Sequence, residues 1–502
     1  MISALTLRRH EAWLLALAGL LQTLAFVHTW AWPLPLVTVA LLVARLNTAK
    51  PLRAAWLGWC YGTAWIAGGT WWMFISMNRY GSLPAPLAAL AVFALAAALA
   101  LYLALACGLY ARWRRGRLWR DAALFAALWL LAELARARLF TGFPWLASGY
   151  SQVDAPLAWA APWIGVYGIG ALMAWIAAAA AAWRRESLVA LLMLTPALLP
   201  VPAFTETAGS FSVTLVQTNV PQDQKFRVER LPEDIARTVA ELSANKADLI
   251  VAPETVIPLL PQQLAELAPG GWDALLKRYS TGTQAALFGV PLGNEREGYT
   301  NSVIGLSATN AAHPYRYDKH HLVPFGEFIP PAFRWFTQMM NIPLGDFARG
   351  AVVQASFEHK GQRLAPNICY EDLFGEELAL RFAVEEKAPT AFVNVSNIGW
   401  FGDTVAVPQH LNISRLRSLE FQRPMLRATN TGATAVIDHR GRVQAMLPPF
   451  TRGQLNATVE GRKGLTPYAM WVPQTPLWLV ALAVLGLLLV RRSVDPRRGA
   501  GG

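Results

Sequence analysis

Long apolar runs, separated by short charged or Pro/Gly-rich breaks, fill the first 203 residues. The hydrocarbon core of a bilayer is about 30 Å thick, and a helix of about 20 apolar residues can cross it. The runs therefore predict an α-helical membrane bundle with seven spans, near residues 12–29, 34–46, 54–75, 84–111, 121–139, 160–183 and 187–203. A further apolar run predicts an eighth span near residues 475–490.

The distribution of charge excludes a nucleic-acid-binding protein. Residues 1–203 carry 15 Lys/Arg against 5 Asp/Glu, the tail after Gln474 carries 4 against 1, and residues 204–474 carry 25 against 26. The whole excess of +12 thus belongs to the apolar parts, whereas a nucleic-acid binder concentrates basic residues on a soluble domain. Only 15% of the residues are charged, against roughly 25% in soluble domains.

Basic residues in short loops set the orientation of a membrane bundle, because they stay in the cytoplasm. With eight crossings and a cytoplasmic N-terminus, 16 basic residues lie inside, and only Arg79, Arg136 and Arg138 lie outside. Both termini are then cytoplasmic, and residues 204–474 are on the outer face.

These patterns predict three parts of the chain. Residues 1–203 form a bundle of about seven helices, residues 204–474 form an outer domain, and residues 475–502 form a last membrane helix with a short basic tail. A transporter is one alternative for the bundle, since Glu133 lies with Arg136 and Arg138 near the end of the fifth span. Seven helices exceed what an anchor needs, so we expect the bundle to handle lipid.

The outer domain has the pattern of an α/β fold. Short β-branched runs predict buried strands at residues 212–216, 249–251, 286–290, 391–395 and 433–437. Helical patterns lie between them, at about 232–245, 262–279, 375–387 and 408–422. This alternation over about 260 residues predicts one layered α/β domain with a covered sheet.

Three candidate catalytic residues, a carboxylate, an ammonium and a thiol, lie in the outer domain at or just beyond strand-like runs. Glu254 comes shortly after residues 249–251, Lys319 lies in a polar turn that leads into an aromatic loop, and Cys369 ends the run 364–369. The other cysteines, Cys60 and Cys107, fall in predicted spans, so no disulfide can form within the outer domain.

The three segments, in this order, resemble those of the nitrilase (carbon–nitrogen hydrolase) superfamily. With the membrane spans on both sides, nearly the whole chain resembles the bacterial apolipoprotein N-acyltransferases. Further matching segments are 142–145, 149–152, 217–222, 323–327, 396–397 and 400–402. The resemblance implies an αββα sandwich for residues 204–474.

The resemblance also assigns roles to site residues. Cys369 matches the nucleophile, Glu254 the general base, and Lys319 the cation that stabilises the tetrahedral intermediate. Supporting roles are implied for Glu327, Tyr370 and Glu371. No metal and no organic cofactor are implied.

Two positions depart from the family pattern, and a nearby segment is rich in aromatic residues. Phe226 stands where the family often has Trp, and Ile398 stands where Asp is common. Residues 324–343 are rich in aromatic residues and Met, which suit acyl chains of varied shape, so we expect a mobile lid. Lipid contacts are expected at Trp145, Phe226, Phe333, Trp335 and Phe336.

A thiol with a pKa of about 8.5 is mostly protonated at neutral pH, so it needs a base or a cation to become a nucleophile. Glu254 can take the proton, and Lys319 favours the anionic sulfur and the later oxyanion. A Cys–His pair with His320, His321 or His410 is the alternative, although these residues lack metal-ligand spacing and adjacent histidines point in different directions.

The resemblance implies a multi-pass enzyme of the bacterial inner membrane with a periplasmic catalytic domain. It would transfer an acyl chain from a membrane phospholipid, through a thioester on Cys369, to the α-amine of the S-diacylglyceryl N-terminal cysteine of an apolipoprotein. We expect a monomer with no nucleic-acid partner. The alternatives are a membrane-tethered amidase or hydrolase, which releases the acyl group to water, and a non-enzymatic scaffold or transporter.

Overall fold

The structure, a computed structural model, describes most of the chain. The described residues are 2–182, 184–225, 227, 229–244, 246–267, 270–294, 296, 298–310, 312–329 and 347–489.

Six long helices form the N-terminal part. They are α1 Ile2–Gln22, α2 Pro33–Leu46, α3 Pro51–Thr70, α4 Ala85–Trp113, α5 Leu118–Arg138 and α6 Ala161–Ala180. Prolines open α2 and α3, where the missing N–H group costs no helical hydrogen bond. The helices pack around one apolar core that includes Leu42, Tyr61 and Trp129.

Among the described residues, three helical segments are long and apolar enough to cross a membrane. They are Thr29–Leu46, Ala85–Trp113 and Pro156–Ala180, and shorter apolar helices occur at His10–Phe26 and Leu477–Leu489. Helix α5 fails this test because it carries Asp121, Glu133 and Arg136. The apolar character of the predicted bundle is therefore confirmed, whereas the count of eight spans stays a prediction.

The span predicted at residues 187–203 is not one long helix. Short helical turns at Arg185–Ser187 and Leu188–Leu191 lead into a 3-10 helix, Leu192–Leu198, which contains Pro196. Proline has no N–H group for the α-helical ladder. A 3-10 helix rises about 2 Å per residue, against about 1.5 Å in an α-helix. The segment is therefore longer than an α-helix with the same number of residues.

Two six-stranded sheets form the outer domain. The strands are β1 Glu206–Gln217, β2 Leu249–Val251, β3 Ala285–Asn294, β4 Gly298–Leu306, β5 Tyr315–Asp318, β6 Phe357–His359, β7 Gln362–Ile368, β8 Ala391–Ser396, β9 Met425–Thr429, β10 Ala435–Ile437, β11 Val443–Met446 and β12 Gly453–Lys463. Their orders are β12-β1-β2-β3-β4-β5 and β11-β10-β9-β8-β7-β6. The centres of both sheets are parallel: β1 pairs with β2 and β2 with β3, and β7 pairs with β8 and β8 with β9.

The inner faces of the two sheets pack against each other. Val213 and Val251 from the first sheet share a buried apolar cluster with Ile368 and Val393 from the second. The predicted two-sheet nitrilase-like architecture is thereby confirmed.

Helices flank the sheets and end the chain. They are α7 Leu231–Ser243, α8 Pro261–Leu267, α9 Gly271–Ser280, α10 Gly375–Ala379, α11 Ala406–Phe421, α12 Pro467–Trp471 and α13 Leu477–Leu489. The single helix predicted at 262–279 is two helices, α8 and α9. The helix predicted at 375–387 is wrong beyond Ala379, where only short 3-10 turns follow. Tertiary contacts override the pattern there, because Arg381 is buried and donates to the Pro366 carbonyl at 2.7 Å.

Helix α11 joins the helical bundle to the outer domain and is buried although many of its side chains are polar. Gln409 Oε1 accepts hydrogen bonds from Trp145 Nε1 at 2.8 Å and Trp72 Nε1 at 3.1 Å. Glu420 Oε1 accepts from the Val166 amide at 2.7 Å, and Glu420 Oε2 lies 2.9 Å from Arg417 Nη1. The bundle therefore contacts the two-sheet domain through polar groups that have no access to water.

The buried pair Arg417–Glu420 makes this junction sensitive to a single substitution. We expect Arg417→Leu to lower the free energy of unfolding by about 3–5 kcal/mol, because it leaves Glu420 buried without its cation. Arg237→Ala is the control, since Arg237 pairs with Glu233 on the exposed side of α7 and such pairs contribute about 0–1 kcal/mol. Denaturation of the detergent-solubilised chain measures both, and equal losses would contradict the expectation.

Candidate active site

The three residues singled out from the sequence lie at the same edge of the sandwich. Glu254 follows β2, Lys319 follows β5, and Cys369 follows β7. Carboxyl ends of parallel strands meet at one edge of a sheet, which is where α/β folds place their sites. Lys319 Nζ lies 3.5 Å from Glu254 Oε1, and Cys369 is close enough for both charges to act on its thiol.

Lys319 lies between two carboxylates and is only 1% exposed. Its Nζ is 2.9 Å from Glu327 in addition to its contact with Glu254. Burial lowers the pKa of the Lys319 ammonium, but the negative charges of Glu327 and Glu254 outweigh burial and raise that pKa above its usual value. Lys319 is therefore a permanent cation at physiological pH.

Asn301, in the middle of β4, links the two carboxylates, and sequence reasoning missed it. Its Nδ2 donates to Glu254 Oε1 and to Glu327 Oε1, each at 2.7 Å. No sequence signal distinguished it, because Asn301 stands between a threonine and a serine in the polar first half of β4. The backbone carbonyl of Asn301 also accepts from the Lys319 amide at 2.8 Å, so one residue positions all three charged groups.

Two further groups hold Glu254 in place. The Asn397 amide donates to Glu254 Oε2 at 2.8 Å, and Lys225 Nζ donates to the Glu254 carbonyl at 3.1 Å. Burial lowers the pKa of Lys225 to about 8, although Glu254 partly opposes this shift. Lys225 was not predicted from the sequence, because nothing in its local pattern distinguishes it from a surface lysine.

Cys369 has a left-handed backbone, with φ of +52°. This conformation is costly for a residue with a side chain and is found where a site imposes it. Burial raises the pKa of the Cys369 thiol, and the charge of Glu254 raises it further, while Lys319 partly opposes both. The thiol is therefore protonated at neutral pH and depends on a base.

Glu371 ties the end of β5 to the end of β7. Its carboxylate accepts from the His320 amide and the Ile368 amide, each at 2.7 Å. Tyr317 donates its hydroxyl to the same carboxylate at 2.8 Å. These contacts fix the Lys319 segment relative to the strand that carries Cys369. The supporting role of Glu371 itself stays a prediction.

Tyr370, next to the nucleophile candidate, contacts the helical bundle. Its hydroxyl donates to the Gly142 carbonyl at 3.1 Å. His321 lies nearby, with Nε2 2.9 Å from the Thr141 carbonyl and Nδ1 3.0 Å from Glu377. The loop after α5 therefore lies directly against the site.

The histidines do not have the geometry of a thiol base. His410 Nε2 lies 3.0 Å from Asp372 Oδ1 and 3.2 Å from the Cys369 carbonyl, so this nitrogen carries the proton. Its Nδ1 accepts from Arg427 at 3.2 Å, which occupies the lone pair. His320 Nδ1 meets the Gly350 carbonyl at 2.8 Å. Among the described residues, no group of three His, Cys, Asp or Glu could hold a metal ion.

Of the residues expected to contact lipid, the structure describes only Trp145. Phe226, Phe333, Trp335 and Phe336 lie outside the described residues, as does most of the predicted lid. Trp145 is 4% exposed and packs between Trp72 and His410, which leaves little surface for lipid. Ile398 is buried in an apolar cluster that Cys369 contacts.

Comparisons with known proteins cover both parts of the chain. Residues 18–179 match the family described as apolipoprotein N-acyltransferase N-terminal domain, and residues 212–467 match carbon–nitrogen hydrolase. The apolipoprotein N-acyltransferase of Verminephrobacter eiseniae is 50% identical, over 91% of this chain and 91% of its own. That of Ralstonia nicotianae is 46% identical, over 96% of this chain and 94% of its own.

The raised pKa of Cys369 predicts an unusual pH dependence of alkylation. We expect the rate with iodoacetamide to keep rising through pH 9.5, because the thiolate fraction of a thiol with a raised pKa saturates only at higher pH. Lys319→Met should move the rise to still higher pH, since it removes the cation that favours the thiolate. Mass spectrometry of the Cys369 peptide measures both rates.

Lys277→Met is the control for this experiment, since Lys277 is exposed at the end of α9. Its alkylation profile should match that of the unmodified protein. A plateau below pH 8, or a Lys319→Met profile shifted to lower pH, contradicts the electrostatics described above.

Proposed function

Since the chain belongs to the apolipoprotein N-acyltransferase family, we propose that it transfers an acyl chain from a membrane phospholipid to the α-amine of the S-diacylglyceryl N-terminal cysteine of an apolipoprotein. It is an N-acyltransferase of the carbon–nitrogen hydrolase superfamily. The observation that carries the proposal is the position of the cluster Glu254, Lys319 and Cys369 beside the loop after α5. A soluble amidase needs no such contact with an apolar bundle.

We further propose the topology indicated by the charge pattern. Residues 1–203 and 475–502 lie in and at the bacterial inner membrane with eight crossings, both termini are cytoplasmic, and residues 204–474 are periplasmic. The asymmetry of 16 basic residues against 3 supports this orientation. The enzyme acts as a monomer, with phospholipid as donor and diacylglyceryl-apolipoprotein as acceptor.

Proton transfer from Cys369 to Glu254 starts the proposed reaction. With the Cys369 thiol counted, the group of Glu254, Glu327, Lys319 and Cys369 carries a net charge of −1, and this sum stays −1 when the proton moves from sulfur to Glu254. The thiolate therefore forms without adding charge to a buried site, which is the main cost of ionising a group in a low-dielectric region.

The first half-reaction forms a thioester. The Cys369 thiolate attacks the carbonyl carbon of a phospholipid ester, and Lys319 stabilises the oxyanion. The bond from carbon to the glycerol oxygen then breaks, and Glu254 returns its proton to that oxygen. The products are a lysophospholipid and an acyl group on Cys369.

The second half-reaction forms an amide. The neutral α-amine of the acceptor attacks the thioester carbon, and the carbon–sulfur bond breaks. Glu254 takes a proton from the amine and passes it to the sulfur, which restores the thiol. Donor and acceptor thus react in turn, in a ping-pong sequence.

The acyl-enzyme is the intermediate to be isolated. We expect the detergent-solubilised protein, incubated with phospholipid alone, to gain one acyl chain on Cys369 that hydroxylamine removes. Cys369→Ser should gain none, whereas the double variant Cys60→Ser/Cys107→Ser should gain as much as the unmodified protein. Intact-protein mass spectrometry measures the adduct.

Product analysis separates transfer from hydrolysis. The proposal predicts N-acylated diacylglyceryl peptide as the main product when an acceptor is added, and little free fatty acid without one. Steady release of fatty acid in the presence of the acceptor would show a hydrolase instead.

Asn301 offers a test of the charge balance. Asn301→Asp adds a third carboxylate beside Glu254 and Glu327, so we expect acyl-enzyme formation to fall roughly 100-fold, the size typical for a lost preorganised contact. Asn456→Asp makes the same chemical change on the exposed strand β12 and should leave the rate unchanged. Rapid-quench measurement of the adduct decides, and an unaltered rate in Asn301→Asp would refute the role of Asn301.

A further inference from the structure

A buried polar network contacts the backbone of the nucleophile candidate. It consists of Asp372, His410, Ser414 and Arg427, each of which is fully buried. Asp372 is bonded to His410 at 3.0 Å, to Arg427 at 3.3 Å, and to the Ser414 hydroxyl. Buried charges are kept only where they are paired and hydrogen-bonded, and this network meets that condition.

The network reaches the backbone of Cys369 through one atom. His410 Nε2 shares its one hydrogen between Asp372 Oδ1 at 3.0 Å and the Cys369 carbonyl at 3.2 Å, and Asn394 Nδ2 donates to the same carbonyl at 3.3 Å. The C=O and N–H of a trans peptide point in opposite directions. Holding this carbonyl therefore also fixes the direction of the Tyr370 N–H, away from His410.

The residue held in this way has a strained backbone. Cys369 has φ of +52°, and such a conformation persists only where surrounding contacts impose it. His410 itself is fixed from two sides. Asp372 and Arg427 engage its two ring nitrogens, and the Trp145 ring stacks on it with centroids 5.5 Å apart.

We propose that His410 is a positioning residue for the acyl transfer, which holds the Cys369 peptide in its left-handed conformation so that the thiol faces Glu254 and the incoming ester. It acts through its Nε2–H and takes no proton from the thiol. The inference rests on the proposed function, because it concerns the rate at which Cys369 is acylated.

The contact with Trp145 extends the inference to the bundle. Trp145 belongs to the loop after α5 and also donates to Gln409, the neighbour of His410 on α11. The position of the histidine ring, and through it of the nucleophile, therefore depends on how the bundle docks on the catalytic domain.

Two amide side chains of different reach test the role of Nε2–H. The amide nitrogen of Gln can occupy the place of His Nε2, whereas that of Asn is one methylene too short. We expect His410→Asn to slow acyl-enzyme formation roughly 100-fold, the size associated with a misplacement of about 1 Å. His410→Gln should stay within about tenfold of the unmodified protein, and the phospholipid concentration for half-maximal rate should change less than twofold in both.

Ser418→Ala is the matched control, since Ser418 is a fully buried hydroxyl on the same helix α11, and its rate should be unchanged. If His410→Asn does not fold, His410→Phe replaces it, because Phe keeps the stack on Trp145 and lacks the donor; the same loss is expected. Thermal melting of each full-length variant checks folding.

The outcomes separate this inference from the proposed function. A rate within twofold of normal in the folded Asn or Phe variant, or equal losses in the Gln and Asn variants, overturns the role of His410. Failure of the unmodified protein to form any adduct overturns the proposed function instead.

Discussion

The ammonium of Lys319 lies within hydrogen-bonding distance of Glu327 and 3.5 Å from Glu254, and almost none of it reaches water. An isolated charge at such a depth is very unfavourable, so the two carboxylates and the cation require one another. Asn301 holds both carboxylates at 2.7 Å and fixes their spacing. Burial first, and then the negative charge of Glu254, raise the pKa of the Cys369 thiol, while Lys319 partly opposes both. In the proposed reaction, Glu254 is the group to which the proton of this thiol moves.

Helix α11 extends this dependence to the rest of the molecule. One part of it, through His410, contacts the strained peptide of Cys369, and another, through Gln409 and Glu420, bonds to the bundle. This helix lies between the sheet domain and the bundle, and its polar side chains form hydrogen bonds to both. Apolar packing alone is nondirectional, whereas buried hydrogen bonds fix an orientation and are costly to leave unpaired. The junction therefore specifies how bundle and sheets meet.

The sequence predicted the features that depend on residues close to one another along the chain. Apolar β-branched runs located the central strands, and the polar residues just beyond them are Glu254 and Cys369. Asn301 and Lys225 were missed, because their importance comes from neighbours that are distant in sequence. The helix predicted at 375–387 failed for a similar reason, since Arg381 turns inward to bond the Pro366 carbonyl.

The position of the nucleophile bears on the choice between amine and water as acyl acceptor. Tyr370 and His321, which flank the site, donate to or contact carbonyls of Gly142 and Thr141 in the bundle loop. Cys369 is thus at the boundary between an apolar part and a hydrogen-bonded sheet edge. In the proposed reaction, the lipid ester approaches from the apolar part and the acceptor amine then attacks the thioester on Cys369. Cys369 is only partly exposed, and the desolvation that raises the pKa of its thiol makes a separate base, Glu254, necessary for the proposed acyl transfer.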